Sequence, residues 1–336
     1  MIRDLKLDNL RGLAILLVVL AHFIMESSIY SSSAFYFTCK FIYLFHMPLL
    51  IFVSGYLSKI RPDNVSKAFK GILIPYLIFN TLWIIVAFLQ NGHLPSAMYF
   101  VPEVGLWYLL SLFFWRTMLP IANMVKHAFW ISILLALLVG TINLDLSFLS
   151  ISRTVCFFPV FLLGFYFKDI KEKFTINKYL AGGSLIILLT ASTFFFKHYS
   201  DNLVGKLSYS AMDLGNLEGM VLRLLAIAVG MISVILLFNI MTSKETVLTK
   251  VGRNSLSVYV LHFYFIFYLP DILNYFGLKF IFHSYLLTAI YVISATVIVT
   301  FILSRDVVSK GVDAIIKSVT NFLLKEYKLI YTRRST

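Results

Sequence analysis

The sequence predicts an all-α integral membrane protein of about ten transmembrane helices, with both termini cytoplasmic. Three observations carry that prediction. Of 336 residues, 60% are hydrophobic and only 13% are charged, whereas soluble domains are nearer half apolar and a quarter charged. Apolar runs close to the length a bilayer demands recur from end to end. All but six of the 29 basic residues fall between runs on one alternating set of loops, or at the termini.

The runs are read as helices over 9–28, 37–57, 71–90, 103–119, 128–144, 152–167, 178–196, 219–241, 253–270 and 281–303. In lipid every backbone polar group must be paired within the protein, and the alternation of a barrel strand is absent, so helices are the reading that fits. Arg3 and Lys6 precede the first run, and Arg11 lies in its first turn. Lys59, Arg61, Lys67 and Lys70 surround the second loop, and Arg116 and Lys126 the fourth. Lys168, Lys171, Lys173 and Lys178 fill the sixth; Lys244, Lys250 and Arg253 fill the eighth. The exceptions are Lys40, Arg153, Lys197, Lys206 and Lys279 toward the other side, and Arg223 inside the eighth run. By the positive-inside rule both ends are cytoplasmic, and the net charge of +13 is a topology signal, not a nucleic-acid footprint.

Residues 1–304 read as one membrane domain and 305–336 as a basic, amphipathic cytoplasmic tail suited to anionic lipid. A solvated, frayed terminus explains the tail equally well. The first run lacks a small-x-small cleavage site and is expected to be retained. The outer loop over 197–218 is expected to cover an external mouth. Cys39 and Cys156 stand alone in apolar surroundings without metal-ligand spacing, so no metal site is expected.

Several residues do not belong in lipid. "RGLAILLVVLAHF" (11–23) places Arg11 and His22 eleven positions apart, a rise of about 16 Å and only about 20° beyond three full turns. They share one face, Arg11 at the inner end and His22 in the outer half. An ionisable group at such depth costs up to about 3 kcal/mol on the lenient insertion scale, which points to function; a packing hydrogen bond between helices is the plainer alternative. His46, followed by a kink expected at Pro48, and His262 lie at mid-depth in two further runs. No pair has the spacing of two metal ligands on one helix, whereas imidazole suits proton transfer near neutral pH. Arg153 and Arg223, with Glu103, Trp107, Tyr108 and His262, are candidates for an outward-facing pocket; snorkelling arginines and belt aromatics are the ordinary reading. Arg61, Lys67 and Lys70 form a candidate cytoplasmic anion pocket beside the positive-inside explanation.

Six segments in order resemble the acyltransferase-3 family of integral membrane acyltransferases over essentially the whole chain. They are Arg11 followed after ten residues by His22; "FHMPLLIFVSGY" (45–56); basic residues before "LIPYLIF" (73–79); "GLWYLLSLFF" (105–114); Arg153 with "FFPVFLLGFYF" (157–167); and "GRNSLSVYVLH" (252–262). The resemblance implies an O-acyltransferase moving acyl groups, chiefly acetyl from cytoplasmic acetyl-CoA, to hydroxyls of surface or exported glycans. It implies that His22 is catalytic with Arg11 its companion, that His46 is the motif histidine of the second helix, and that Arg61 or Lys70 belongs to the acyl-CoA site; His22 suits either a general base or a covalent acyl relay. It implies no permanently bound cofactor, and as partners acyl-CoA, a glycan or lipid-linked sugar and membrane lipid, not nucleic acid. Ending 33 residues after its last run, the chain is expected to lack the periplasmic esterase-like domain of some relatives. The competing class is a secondary transporter of a glycan or lipid precursor, which buried histidines, arginines and mid-span prolines also suit; the repeated halves common in transporters are not evident.

Overall fold

The computed structural model describes residues 4–94, 98–143, 147–196, 205 and 207–334, with side chains of the last helix described as far as Leu324. Lys197 and Lys206, and with them much of the expected mouth loop, lie outside the described residues, as do Arg3 and the side chains of Lys325, Lys328, Arg333 and Arg334.

Among the described residues the fold is entirely helical. In chain order the α-helices are α1 (Leu5–Met25), α2 (Ser33–Tyr43), α3 (His46–Leu57), α4 (Asn64–Ala68), α5 (Ile74–Asn91), α6 (Trp107–Met124) and α7 (Ala128–Leu138). They continue with α8 (Ile151–Ile170), α9 (Lys178–Phe195), α10 (Asn216–Ile240), α11 (Val247–Arg253), α12 (Ser255–Tyr275), α13 (Tyr285–Leu303) and α14 (Asp306–Arg334). Among the described residues, eight helical stretches are long and apolar enough to cross a membrane: Leu5–Met25, Ser33–Leu57, Asn64–Asn91, Phe148–Phe174, Lys178–Phe195, Asn216–Ile240, Ser255–Tyr275 and Tyr285–Leu303. The two remaining expected spans fall on α6, which is 18 residues long but interrupted by Arg116, and on the short apolar stretch Ala128–Thr141.

The predicted helix over 37–57 is two helices within one candidate span. The chain breaks at Leu44 and Phe45, where Phe45 leaves the helical region at φ −138°, ψ −19°. Proline excludes the carbonyl four residues before it, and for Pro48 that residue is Leu44. The expected kink thus lies ahead of the proline, and His46 becomes the first residue of α3. Pro75 acts similarly: a π turn over Phe69–Leu73 joins α4 to α5, widening the helix where Gly71 would face the pyrrolidine ring.

α1 is the axis of the bundle, packed on by α3, α11, α12 and α13. Asp4 caps it, accepting from the Lys6 and Leu7 N–H groups at 3.0 and 3.4 Å. At its N-terminal end α11 presses backbone to backbone: a Cβ on Gly12 would run into the Leu248 carbonyl, and one on Gly252 into the Asp8 carbonyl. Small residues permit such crossings in lipid, where dispersion and hydrogen bonding, not hydrophobicity, hold helices together. Asn9, fully buried, locks the contact. Its amide donates to the Thr242 and Lys244 carbonyls at 3.0 and 2.9 Å, and its oxygen accepts from the Thr246 and Thr249 hydroxyls at 2.7 and 2.6 Å. Asp8 faces Arg253 at 3.7 Å. The segment "GRNSLSVYVLH" is therefore not simply the start of a span, because Gly252 and Arg253 end α11 and clamp α1. α14 follows with the Asn254 amide donating to Ser304 O at 2.7 Å and Asp306 Oδ1 at 2.8 Å. It touches α5, α12 and α13 and exposes Val307, Ile315, Phe322 and Leu323.

Candidate functional site

A cavity of about 340 Å³ opens where α1 and α9 finish and α6 and α8 begin. His22, His46, Lys40, Trp107 and Arg153 all contribute to its wall, which unites five helices separated in sequence. His22 stands one turn from the end of α1, and His46 sits at the break between α2 and α3. The His46 ring donates from Nδ1 to the Ile42 carbonyl at 2.9 Å, one turn back across the break. Tyr43 lies edge-on to it at 4.8 Å.

His262 is fully buried behind His22. Its Nε2 lies 3.2 Å from His22 Nδ1, and its Nδ1 lies 2.8 Å from the Tyr259 carbonyl and 3.0 Å from that of Val258. Phe263 packs against both imidazoles, with ring centres at 4.5 and 4.2 Å. Expected in the pocket wall, His262 is instead the hydrogen-bonding partner of the histidine that reaches the cavity.

Of the other residues expected in the outer pocket, Trp107 and Arg153 line it together. The Arg153 guanidinium lies 5.0 Å above the Trp107 ring, which also stacks with Phe157 at 5.6 Å. Both residues also border a second hollow of about 130 Å³ lined by Ser147, Ser150 and Ser152. Tyr108 points the other way, its buried hydroxyl bonding to Ser54 Oγ. Glu103 is outside the wall, its backbone N–H donating to Asn80 Oδ1 at 2.9 Å. Arg223 is also outside it. The side chain is completely buried, donates to the Ala136 and Leu207 carbonyls at 3.3 and 3.2 Å, and lies 4.5 Å from the Tyr209 ring centre. It fastens α10 to α7 and the chain before Tyr209, a packing role.

Tyr108 lies within electrostatic reach of both Arg11 and Arg116. Arg116, expected at the end of the fourth run beside its basic loop, lies nine residues into α6, and its Nε is buried with no hydrogen-bond partner among the described residues. Two guanidinium groups are thus within electrostatic reach of one another and of the Tyr108 hydroxyl. The expected phosphate cluster is more open: Arg61 and Lys70 are exposed, and Lys67 pairs with Asp63 at 2.7 Å. That contact, chiefly through its hydrogen bond, holds the Asp63 carboxyl below its ordinary range. Sequence reasoning missed Lys40 as a cavity residue. It is buried, donates to the Phe196 carbonyl at 3.4 Å and lies 5.0 Å from the Tyr36 ring centre. Its place after "FYFTC" reads as an ordinary outer flank, with no local pattern to mark it.

An all-helical membrane bundle with a histidine-walled cavity at one end and clustered arginines within defines a class of polytopic membrane protein. The family model "Acyltransferase domain", of the acyltransferase-3 type, matches residues 4–305, and the chain belongs to that family. It is similar to the Nodulation protein NolL of Sinorhizobium fredii (strain NBRC 101917 / NGR234), 29% identical over 188 residues, covering 51% of this chain and 50% of that protein. It is also similar to the Nodulation protein NolL of Mesorhizobium japonicum (strain LMG 29417 / CECT 9101 / MAFF 303099), 27% identical over 180 residues, covering 49% and 48% respectively. The chain spans about half the length of these curated relatives. No solved structure matches it.

Proposed function

We propose that this protein is a cell-membrane O-acetyltransferase that carries an acetyl group from cytoplasmic acetyl-CoA to a sugar hydroxyl of a surface or capsular polysaccharide. The observation that carries the proposal is His22 in the wall of a 340 Å³ cavity on the helix that also bears Arg11, in a chain of the acyltransferase family. Ten crossings, with α6 and the short apolar α7 added to the eight full-length spans, and both termini cytoplasmic suit the one-sided basic loops. The setting is a bacterial inner membrane, as the organisms of the two relatives suggest.

In this reading the charged CoA stays at the inner face. Its phosphates meet the basic group around Arg61, Lys67 and Lys70, with Arg11 and Arg116 deeper, while the thin pantetheine arm rises toward His22. The sugar enters from the opposite side, where Trp107 and Phe157 offer flat apolar faces and Arg153 and Lys40 offer donors. The His22 imidazole takes the hydroxyl proton as the oxygen attacks the thioester carbonyl. The C–S bond then breaks, the proton passes to the departing sulfur, and ester and free CoA result.

The test uses purified protein in sealed vesicles of known orientation, radiolabelled acetyl-CoA and a membrane-impermeant glycan acceptor. Labelled ester should form with donor on the cytoplasmic side and acceptor on the other. Product only when both share the cytoplasmic side overturns the two-sided arrangement, and no transfer to any glycan, with the glycan itself translocated, favours the transporter.

A further inference from the structure

Both nitrogens of His262 have partners, and those partners determine where the protons are. Its Nδ1 faces two carbonyl oxygens, at 2.8 and 3.0 Å. A carbonyl only accepts, so Nδ1 carries the hydrogen. A doubly protonated His262 would be a fully buried cation with no carboxylate bonded to it among the described residues, a state costing several kcal/mol. The ring is therefore neutral, and its Nε2 is a bare acceptor. Opposite it at 3.2 Å stands His22 Nδ1, which must supply the hydrogen. In a neutral imidazole one nitrogen donates and the other accepts; with Nδ1 donating, His22 Nε2 keeps its lone pair, on a ring that lines the cavity.

We infer that His262 is a positioning residue that fixes the tautomer of His22, making Nε2 of His22 the nitrogen that takes the acceptor's proton. The assignment of the reacting nitrogen rests on the acetyltransferase reading; the tautomer itself does not. The protons run in one direction, from His22 Nδ1 to His262 Nε2 and from His262 Nδ1 to the Val258 and Tyr259 carbonyls. When His22 becomes an imidazolium during transfer, its Nδ1–H keeps the same acceptor, so the charge forms without a rearrangement of partners. Phe263, against both rings, holds their planes. The Val18 carbonyl, one turn back on α1, is the competing acceptor for the His22 Nδ1 proton, and the experiment is built to separate the two.

Protein labelled with 15N-histidine in lipid nanodiscs gives ring-nitrogen shifts that distinguish protonated from bare nitrogens, His22 being assigned by its loss in His22→Gln. In the unmodified protein His22 should show a protonated Nδ1 and a bare Nε2. In His262→Phe the pattern should change to a mixed or reversed tautomer, whereas His262→Gln, whose side-chain oxygen accepts in place of Nε2, should retain it. The acetyl-transfer kcat should fall at least about tenfold in His262→Phe with KM for acetyl-CoA unchanged, and recover substantially in His262→Gln. A protonated Nε2 on His22 in the unmodified protein overturns the inference, as does an unchanged His22 signal in His262→Phe, which would assign the tautomer to Val18. If the shifts behave as expected but the unmodified protein transfers no acetyl group, the functional reading falls and the histidine pair stands.

Discussion

Replacing His22 separates chemistry from architecture, because in the proposed reaction the side chain serves both. His22→Gln removes the base but leaves an amide N–H able to donate to His262 Nε2, 3.2 Å away in the parent. His22→Ala removes the base and also strands that buried acceptor. A positioned general base contributes about 10²- to 10⁴-fold in rate, equivalent to about 2.7–5.4 kcal/mol of barrier at 1.36 kcal/mol per decade. An unsatisfied buried acceptor costs about 1–3 kcal/mol of stability, beyond the packing lost against Phe263. Both variants should therefore lose at least about a hundredfold in kcat, while only the alanine form melts measurably lower. Initial rates of acetyl transfer in proteoliposomes and thermal unfolding in detergent measure the two quantities side by side. A glutamine variant with kcat within tenfold of the parent would refute the assignment of His22 as base, and His46, in the same cavity, would become the candidate. Equal melting of the two variants would refute the structural half.

Gly252→Ala should lower thermal stability by about 1–3 kcal/mol as its methyl forces α11 off the Asp8 carbonyl. Gly183→Ala, on α9 with open space around it, should instead stabilise by a fraction of about 1 kcal/mol. Arg116→Met should raise KM for acetyl-CoA about tenfold or more without lowering the melting temperature, because it removes a partly buried guanidinium whose Nε has no partner; lost stability at unchanged KM would make Arg116 structural. The Asp306 carboxyl is held below its ordinary range, first by the Asn254 amide and then by Lys250. Its contribution is complete above the unfolded carboxyl value of about 3.9 and is lost as pH falls through the lowered folded value. Hydrogen-exchange protection of the first turn of α14 should hold at pH 5 and decline only below that range, and a decline beginning near pH 6 would contradict this coupling.

The helices were legible because a bilayer fixes their length and composition, and the shared face of Arg11 and His22 follows from spacing alone. Where the chain departs from uniform helix, local backbone chemistry decides. The break at Leu44 follows from Pro48 once the clash is assigned to the fourth residue back. α6 runs on to Met124 instead of ending at 119, so Arg116, read at the edge of a basic loop, stands well inside the helix. Sequence placed three histidines at similar depth but gave no means of pairing His22 with His262, 240 residues apart. Arg223 illustrates the opposite failure. Its depth suggested a pocket, yet backbone carbonyls freed at the chain turns around Ala136 and Leu207 satisfy it, and no one-dimensional pattern marks such acceptors.

The segment from Val247 to Phe267 grips α1 twice. Near its start Gly252 meets the backbone of Asp8 and Gly12, and further on His262 bonds to His22, ten residues and about 15 Å above Gly12. Two attachments that far apart act as a splint. α1 cannot slide along or swivel against this segment without breaking a backbone contact at one end and an imidazole bond at the other. A transport cycle that rocks one half of a bundle past the other would need a slip plane somewhere, and this seam is not one. The machinery on α1 is held still, and it is the reactants that must travel to it.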